Sequence, residues 1–130
     1  LAIKSIKVIN EYKAAMYDLE IQSAIEKIIE LATYANCLLN ERAPWKAIKN
    51  PEKFEDVCDD IYSILETNRI IGLLLRPIVP NLSKKILLQL GCKEELINWN
   101  RSLSWGIIKS SSILPQPIPI MDKIEFIEGN

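Results

Sequence analysis

The sequence predicts an all-α fold: an antiparallel helical bundle with an extended, proline-rich strap at its C-terminal end. Up to about residue 90, apolar residues recur at spacings of three and four, which is the period of an amphipathic helix. Short segments that contain proline separate these helical patterns from one another. The stretch ILPQPIPI, residues 113–120, then places three prolines among eight residues, which is incompatible with a helix.

Length and composition indicate one globular domain, residues 1–130. Hydrophobic residues make up 48% of the chain and charged residues 25%, so the sequence can bury a core and is not of the disordered class. No apolar run approaches the ~20 residues that span a bilayer, and no signal peptide is visible, so we expect a cytoplasmic protein without a membrane partner. Because the first residue is Leu1, we expect a fragment of a larger protein.

The titratable residues argue against catalysis. The chain has no histidine, which removes the usual general base and every Ser/His or Cys/His nucleophile pair. Cys37, Cys58 and Cys92 are far apart and fit reduced thiols rather than a metal site. The net charge of −1 excludes a strongly basic nucleic-acid-binding domain, so any contact with a polyanion would use a local patch. We therefore expect no catalytic residue and no metal ligand.

Apolar stripes predict the first two helices. Residues 1–16 form the first, and Asp18 is expected to cap the second, which runs to about Glu41. The expected inward residues of the first helix are Ala2, Ile6, Ile9, Tyr12 and Met16. Those of the second helix are Ile21, Ala24, Ile25, Ile28, Ala32, Ala35, Leu38 and Leu39.

The helical pattern breaks at Pro44, because proline lacks an amide hydrogen and disfavours helix in the residue before it. Asn50, Pro51 and Glu52 predict a restart, with a capping side chain, a proline at the first helical position and an acid in the first turn. The long helix that follows ends in IIGLLL, residues 70–75, which we expect at the centre of the bundle. Its glycine either permits close approach of another helix, which we favour, or simply costs about 1 kcal/mol of stability. Its expected inward residues are Phe54, Val57, Ile61, Ile64, Leu65, Asn68, Ile71 and Leu75.

A turn with two prolines, RPIVPN, ends the long helix. Asn81 is expected to cap the short helix LSKKILLQL, and Gly91 to close it in the left-handed conformation. Residues 93–101 are expected to add a last turn or short helix, and short strand pieces are expected around residues 118–127. Both tryptophans of this region are expected to pack under the strap: Trp99 and Trp105.

The segment NERAPWKAIKNP, residues 40–51, places an aromatic side chain among cations. A bulky residue beside a helix break, here Trp45, either fills the core or is held out for contact. The cations recur at spacings of four, three and four, so a helix that resumed after the proline would carry one basic edge beside the tryptophan. Such an edge either contacts phosphates or is simply solvated. Its residues are Arg42, Lys46, Lys49 and Lys53.

ANCLLNERAPWKAIKNPE, residues 35–52, resembles the signature of the anticodon-binding domains of class I aminoacyl-tRNA synthetases, most closely the methionyl enzyme. The matching residues are Asn36, Pro44, Trp45 and Lys49. Residues 70–91 resemble the apolar helix, proline turn and short helix of the family, and residues 105–125 resemble its closing strap. The chain departs from the family at Ser110–Ser112, where a glycine is usual, and in its ending, which lacks the usual Pro-Leu-Phe-Pro-Arg-Ile.

The resemblance implies that Trp45 stacks on a base of the CAU anticodon of methionine tRNA. The spacing of the cations adds Arg42, Lys46 and Lys49 as candidate contacts to the phosphates of the anticodon loop. It also implies that a catalytic domain of the same chain, which uses ATP and Mg²⁺, and the first helix of the bundle lie outside this sequence. The fragment itself would then hold no cofactor and would not activate methionine alone. We interpret Pro44 as structural, and Asn36 as a side chain that bonds backbone near the helix break.

Two alternatives remain open from the sequence. The chain is the equivalent domain of another class I synthetase, such as that for cysteine, valine, leucine or isoleucine. Otherwise it is a helical protein-interaction module with no role in RNA binding, in which Trp45 is buried or lies in a protein interface. An independent enzyme is the least favoured interpretation, since no histidine, metal motif or glycine-rich phosphate loop is present.

Overall fold

The structure is a computed structural model and describes residues 1–92, 99–109 and 113–121. Its helices are α1 (Ala2–Tyr17), α2 (Ile21–Arg42), α3 (Pro44–Ala47), α4 (Phe54–Leu75), α5 (Pro80–Gln89) and α6 (Trp99–Ser102), with a 3-10 turn at Pro51–Lys53. The described residues contain no strand, which confirms the all-α class, and none of their helices is long and apolar enough to cross a membrane. The strand pieces expected around residues 118–127 are therefore wrong for 118–121, and residues 122–127 lie outside the described part.

The bundle is built on α1, α2 and α4, which pack side by side, with α5 packed against α4. Ion pairs join α1 to α2 in antiparallel order: Lys4 pairs with Glu30, and Lys27 pairs with Glu11 at 3.0 Å. The buried apolar cluster draws on all four helices and on the segment after α6, and consists of Val8, Ile9, Tyr12, Ala15, Ala24, Ile28, Leu31, Ile70, Ile71, Leu73, Leu74, Leu87 and Leu103.

The turn between α1 and α2 differs from its prediction. Asp18 is the C-terminal cap of α1, and Glu20 precedes α2 without a side-chain cap bond, so the prediction that Asp18 caps α2 is wrong. Backbone bonds close the turn instead, with the Glu20 amide donating to the Ala15 carbonyl at 2.8 Å. Leu19 between them takes a positive φ of 59°, a conformation that lets the chain reverse without a glycine.

The buried face of α1 is rotated from the predicted stripe. Ile9 and Tyr12 are buried as expected, but Ile6 is exposed. The Tyr12 hydroxyl donates to the Leu74 carbonyl at 2.7 Å, and this bond fixes the rotation of α1 against α4. The side chains that the stripe omitted are Ser5, Val8 and Ala15 on α1 and Leu31 on α2, while Ile21 and Ala32 on α2 lie exposed.

The two halves of α4 have different environments. Residues 70–74 are buried, which confirms the central position of the apolar segment. Gly72 lies against α5: a Cβ there would be 2.9 Å from Ile86 Cγ2, and the Ser83 hydroxyl donates to the Gly72 carbonyl at 2.6 Å. Three residues of α4 that were expected inside are exposed: Phe54 and Ile61 in the first half of the helix and Asn68 in the second.

The predicted helix caps were partly right. Asn50 Oδ1 accepts from the Glu52 amide at 3.1 Å, which confirms the predicted restart. Gly91 has a φ of +68° and ends α5, as predicted. However, α5 begins at Pro80 after Val79, with no side-chain cap bond, so Asn81 is an internal residue of the first turn and not the cap.

Two contact sets hold the closing segment on the bundle. Gln89 of α5 donates to the Ile118 carbonyl at 2.9 Å and accepts from the Ile118 amide at 3.3 Å, which fixes residues 113–121 as the extended strap that the prolines predict. Trp99 and Trp105 are half-buried against the core cluster. Ser110–Ser112, where the chain departs from the family pattern, lie outside the described residues.

A buried ion pair in α4 anchors residues 102–108 and has no counterpart in the sequence analysis. The Glu66 carboxylate accepts from the amides of Gly106, Ile107 and Ile108 at 2.9, 3.0 and 3.1 Å. The Arg69 guanidinium donates to the carbonyls of the same segment, at residues 102 and 104. The segment therefore binds α4 through its backbone rather than through a side-chain pattern that periodicity reveals.

Candidate nucleic-acid interface

The turn after α2 fixes the backbone next to Trp45. Ala43 ends α2 with a positive φ of 42°, and its amide donates to the Leu39 carbonyl at 2.9 Å. Pro44 is buried and is the first residue of α3, where its missing amide costs no hydrogen bond. Trp45 follows on a backbone that proline has already restricted, and α3 packs against α4.

The Trp45 side chain is 53% exposed. The interpretation in which it fills the core is therefore wrong, whereas its exposure does not test the alternative in which it lies in a protein interface. A half-exposed indole on a restricted turn offers a flat apolar face to solvent, and such a face can receive an unpaired base or another flat group. Its contact with RNA stays a prediction.

The predicted cations surround this turn but do not share one helix. Arg42 ends α2, Lys46 lies on α3, Lys49 follows α3 and Lys53 ends the 3-10 turn, and all of them are exposed. The continuous helix assumed after Pro44 does not form, because α3 ends at Ala47, so the spacing argument for a single straight edge is wrong. The same cations instead follow the curve of the chain around Trp45.

Carboxylates on α4 limit this positive region on one side. Arg42 Nε lies 4.0 Å from Asp60 Oδ1, and the remaining acids of the same half of α4 are exposed: Glu55, Asp56 and Asp59. Because these carboxylates repel phosphate, a polyanion at Trp45 would contact the lysines of α3 and its C-terminal loop rather than the exposed face of α4.

Asn36 lies in a groove between α2 and α4 and not in a backbone contact. The side chain is exposed, and among the described residues it makes no hydrogen bond, so the interpretation as a backbone-bonding residue is wrong. Asn68, which the sequence analysis placed in the core, stands in the same groove. The cavity has a volume of about 250 Å³ and is lined by Ala32, Ala35, Asn36, Leu39, Ile64 and Asn68.

A second, narrower recess lies beside this groove, near the C-terminal end of α2. Leu39 and Ile64 line both, and the recess is completed by Leu38, Arg42 and Asp60. Sequence periodicity did not reveal the groove, because its two asparagines come from different helices and only packing brings them together.

The remaining reactive side chains form no centre in the described part of the chain. Cys37 and Cys58 are exposed and Cys92 is partly buried, and burial raises the pKa of the Cys92 thiol. Within residues 1–92, 99–109 and 113–121, no group of three or more His, Cys, Asp or Glu side chains is placed to hold a metal ion.

Comparisons with known proteins agree on one family. A family model described as the anticodon binding domain of methionyl tRNA ligase matches residues 2–125. The methionine–tRNA ligase of Synechocystis sp. is 36% identical over 125 residues, which cover 88% of this chain and 23% of that protein. The ligase of Rickettsia prowazekii is 34% identical, with 92% and 23% covered. The chloroplastic/mitochondrial ligase of Arabidopsis thaliana is 31% identical, with 92% and 20% covered. The chain thus spans about a fifth of the length of the relatives it matches.

Proposed function

Because the chain belongs to the family of anticodon-binding domains of methionyl-tRNA ligase, we propose that it binds the CAU anticodon loop of methionine tRNA. In this proposal it works in the cytoplasm as one part of a longer ligase chain. Binding of the loop positions the tRNA for a catalytic domain elsewhere in that chain, which would supply ATP and Mg²⁺ for attachment of methionine. The family match favours this assignment over the equivalent domains of other class I synthetases.

The exposure of Trp45 is the observation that carries the proposal. Anticodon bases are unpaired, so each has a free face, and stacking of a base on an aromatic side chain contributes about 1–3 kcal/mol. Pro44 lowers the entropy that the turn loses on binding, since its φ is already fixed. A core tryptophan would offer neither property.

The exposed cations supply the second element of the proposal. Lys46 is adjacent to the indole in the chain, and Lys49 follows within one turn. Ammonium groups in these positions contact loop phosphates whatever the base sequence, while the stacked base contributes selectivity. The overall net charge of −1 is compatible with this division, because the contact needs only a local positive region.

The test is binding of anticodon stem–loop RNA to the full-length ligase that carries this domain. We expect Trp45→Ala to weaken binding of the CAU loop by about 5- to 150-fold, which corresponds to about 1–3 kcal/mol, and Trp45→Phe to retain part of the affinity. Tyr17→Ala is the matched control, because Tyr17 is 89% exposed at the far end of α1.

Circular dichroism of each variant separates loss of contact from loss of fold. A folded Trp45→Ala variant that binds the CAU loop as tightly as the parent contradicts the proposal. Equal losses for CAU and for an altered anticodon would show that the indole contributes affinity without selectivity, and would contradict the base-reading part of it.

A further inference from the structure

We propose that the cavity between the C-terminal end of α4 and α5 binds a phosphate-bearing group with a partly apolar body, such as a nucleoside monophosphate. This site goes beyond the proposed function and does not depend on it. The helix α4 begins after the Trp45 turn and has 22 residues, so its length of about 33 Å separates the turn from the cavity.

The cavity has the size and the apolar wall of a small-molecule site. Its volume of about 380 Å³ falls within the ~300–1,000 Å³ typical of ligand pockets, which combine apolar walls with a few polar groups that orient the ligand. The apolar wall consists of Pro80, Leu87 and Leu88. Leu88 is 48% exposed, so a ligand body that covers it removes apolar surface from water.

The charge of the lining favours an anion. Arg76 and Lys84 line the cavity, and none of its described lining residues is an acid. The Arg76 side chain makes no hydrogen bond or ion pair within the described residues, so its planar guanidinium is available to bind a phosphate through two parallel hydrogen bonds. Lys84 takes part in another interaction, so Arg76 is the cation on which the site depends.

The neutral polar groups of the lining add a donor and no opposing charge. Asn81 is exposed in the first turn of α5 and makes no side-chain hydrogen bond to a described residue, so its amide can donate to a phosphate oxygen. The Ser83 hydroxyl already donates to the Gly72 carbonyl at 2.6 Å and forms part of the wall. Burial raises the pKa of the Cys92 thiol, which keeps that side chain neutral.

Cys92 provides a local reporter of occupancy, because its thiol lines the cavity whereas Cys37 and Cys58 are exposed on other helices. The full-length ligase is alkylated with iodoacetamide, and peptide mass spectrometry gives the rate at each cysteine. The probes are inorganic phosphate, adenosine monophosphate, adenosine and methionine tRNA. We expect adenosine monophosphate at ~10 times its Kd to slow alkylation of Cys92 about 10-fold by mass action, with no change at Cys37 and Cys58.

Arg76→Ala tests whether the guanidinium holds the phosphate. We expect this variant, with an unchanged circular dichroism spectrum, to lose the protection of Cys92, and Arg76→Lys to keep part of it, since an ammonium keeps the charge but not the paired donors. Lys7→Ala is the matched control, because Lys7 is an exposed cation on α1, away from the cavity. Adenosine, which lacks the phosphate, should protect Cys92 much less than its monophosphate.

Three results would overturn the proposal: unchanged alkylation of Cys92 with all probes, equal protection by adenosine and its monophosphate, or protection that persists in Arg76→Ala. Protection by phosphate or the monophosphate identifies a free phosphorylated ligand. Protection by tRNA alone, lost in Arg76→Ala, identifies the phosphate as part of an RNA backbone. Trp45→Ala should leave protection by the monophosphate unchanged, so failure of this site and failure of the proposed function are distinguishable.

Discussion

Glu66 and Arg69 form a buried ion pair one turn apart on α4, with exposed side-chain fractions of 0% and 2%. The Arg69 Nη2 lies 2.5 Å from Glu66 Oε1, and both side chains also bind the backbone of residues 102–108. Burial raises the pKa of Glu66, but the hydrogen bonds from Arg69 and from the Ile107 and Ile108 amides outweigh this and leave the pKa below its ordinary value. The pair therefore joins α4 to the closing segment.

We expect Glu66→Ala to lower the free energy of unfolding by about 3–5 kcal/mol, because it leaves the Arg69 charge buried without its partner. Urea unfolding followed by circular dichroism measures the change. Asp60→Ala is the control, since its contact with Arg42 is solvent-exposed and such pairs contribute about 0–1 kcal/mol. If both variants change stability equally, the buried pair does not anchor the closing segment.

An additional variant covers the case in which Glu66→Ala does not fold. Removing both charges in a Glu66→Gln, Arg69→Met double variant should restore part of the stability that Glu66→Gln or Arg69→Met loses alone, because no unpaired charge is then buried. Additive losses would contradict a coupled pair. The double variant should still be less stable than the parent, since the amides of residues 106–108 lose their charged acceptor.

Lowering the pH should weaken the packing of α1 against α2, because protonation of Glu30 removes its ion pairs with Lys4 and Lys27. Hydrogen bonds from Lys4 and then Lys27 lower the pKa of Glu30 to about 2. Its pKa in the unfolded chain is near the ordinary ~4.3, so the folded state binds fewer protons between these values. The stabilisation is therefore complete above about pH 5 and is lost as the pH falls toward 2.

Unfolding free energies measured from pH 6 to pH 2 test this expectation. Glu30→Gln should flatten the dependence below pH 5 and have its largest effect on stability at neutral pH. Glu26→Gln is the control, because Glu26 lies on the same helix and forms no ion pair within the described residues. An unchanged pH profile for Glu30→Gln would show that the Lys4 and Lys27 contacts contribute nothing in solution.

The close approach at Gly72 predicts that alanine is destabilising there. In an open helix position the change would add about 1 kcal/mol of stability. Here the new Cβ would meet Ile86 Cγ2 at 2.9 Å and Leu87 Cδ2 at 3.2 Å, and the Ile86 methyl gives way poorly because a β-branched side chain in a helix has one strongly preferred χ1 rotamer. Overpacking of this kind costs about 1–3 kcal/mol, so we expect a net loss of about 1 kcal/mol.

Thermal or urea unfolding of Gly72→Ala, alone and with Ile86→Ala, measures this contact. The double variant should lose less than the sum of the single changes, since removing the Ile86 methyl makes room for the new one. A stabilised Gly72→Ala variant would mean that α4 and α5 separate more easily than the contact distances indicate.

The sequence predicted those features that depend on local periodicity and on proline. The break at Pro44, the cap at Asn50 and the close approach at Gly72 each follow from the chemistry of one or two residues, and the structure has all of them. The predicted buried face of α1 was displaced by about one residue from the observed face. The observed face depends on the hydrogen bond from Tyr12 to α4, which joins residues distant in the chain.

The candidate site shows the same limit. Trp45 was identified from its own segment, whereas Asn68 was assigned to the core because its spacing on α4 fits an inward stripe. Asn68 instead lies at the groove between α2 and α4, a position set by the packing of two helices, which no pattern within α4 records. Apart from Arg69, the partners of Glu66 are backbone amides, which have no sequence signature at all.

The salt dependence of RNA binding should report the lysines at the Trp45 turn. Each phosphate neutralised on a single strand contributes about −0.7 to the slope of log K against log salt concentration. If Lys46 and Lys49 both contact the loop, the Lys46→Ala, Lys49→Ala double variant of the full-length ligase should reduce the slope by about 1.4 in magnitude and weaken CAU and altered loops alike. Fluorescence anisotropy of labelled stem–loops between 50 and 200 mM salt, roughly the range over which phosphate contacts lose most affinity, measures both quantities.

Lys7→Ala is the control, because Lys7 is exposed on α1 and lies away from the turn. A double variant with the parent slope would place the phosphates elsewhere, and a loss confined to CAU would mean that the lysines contact bases rather than the backbone of the RNA.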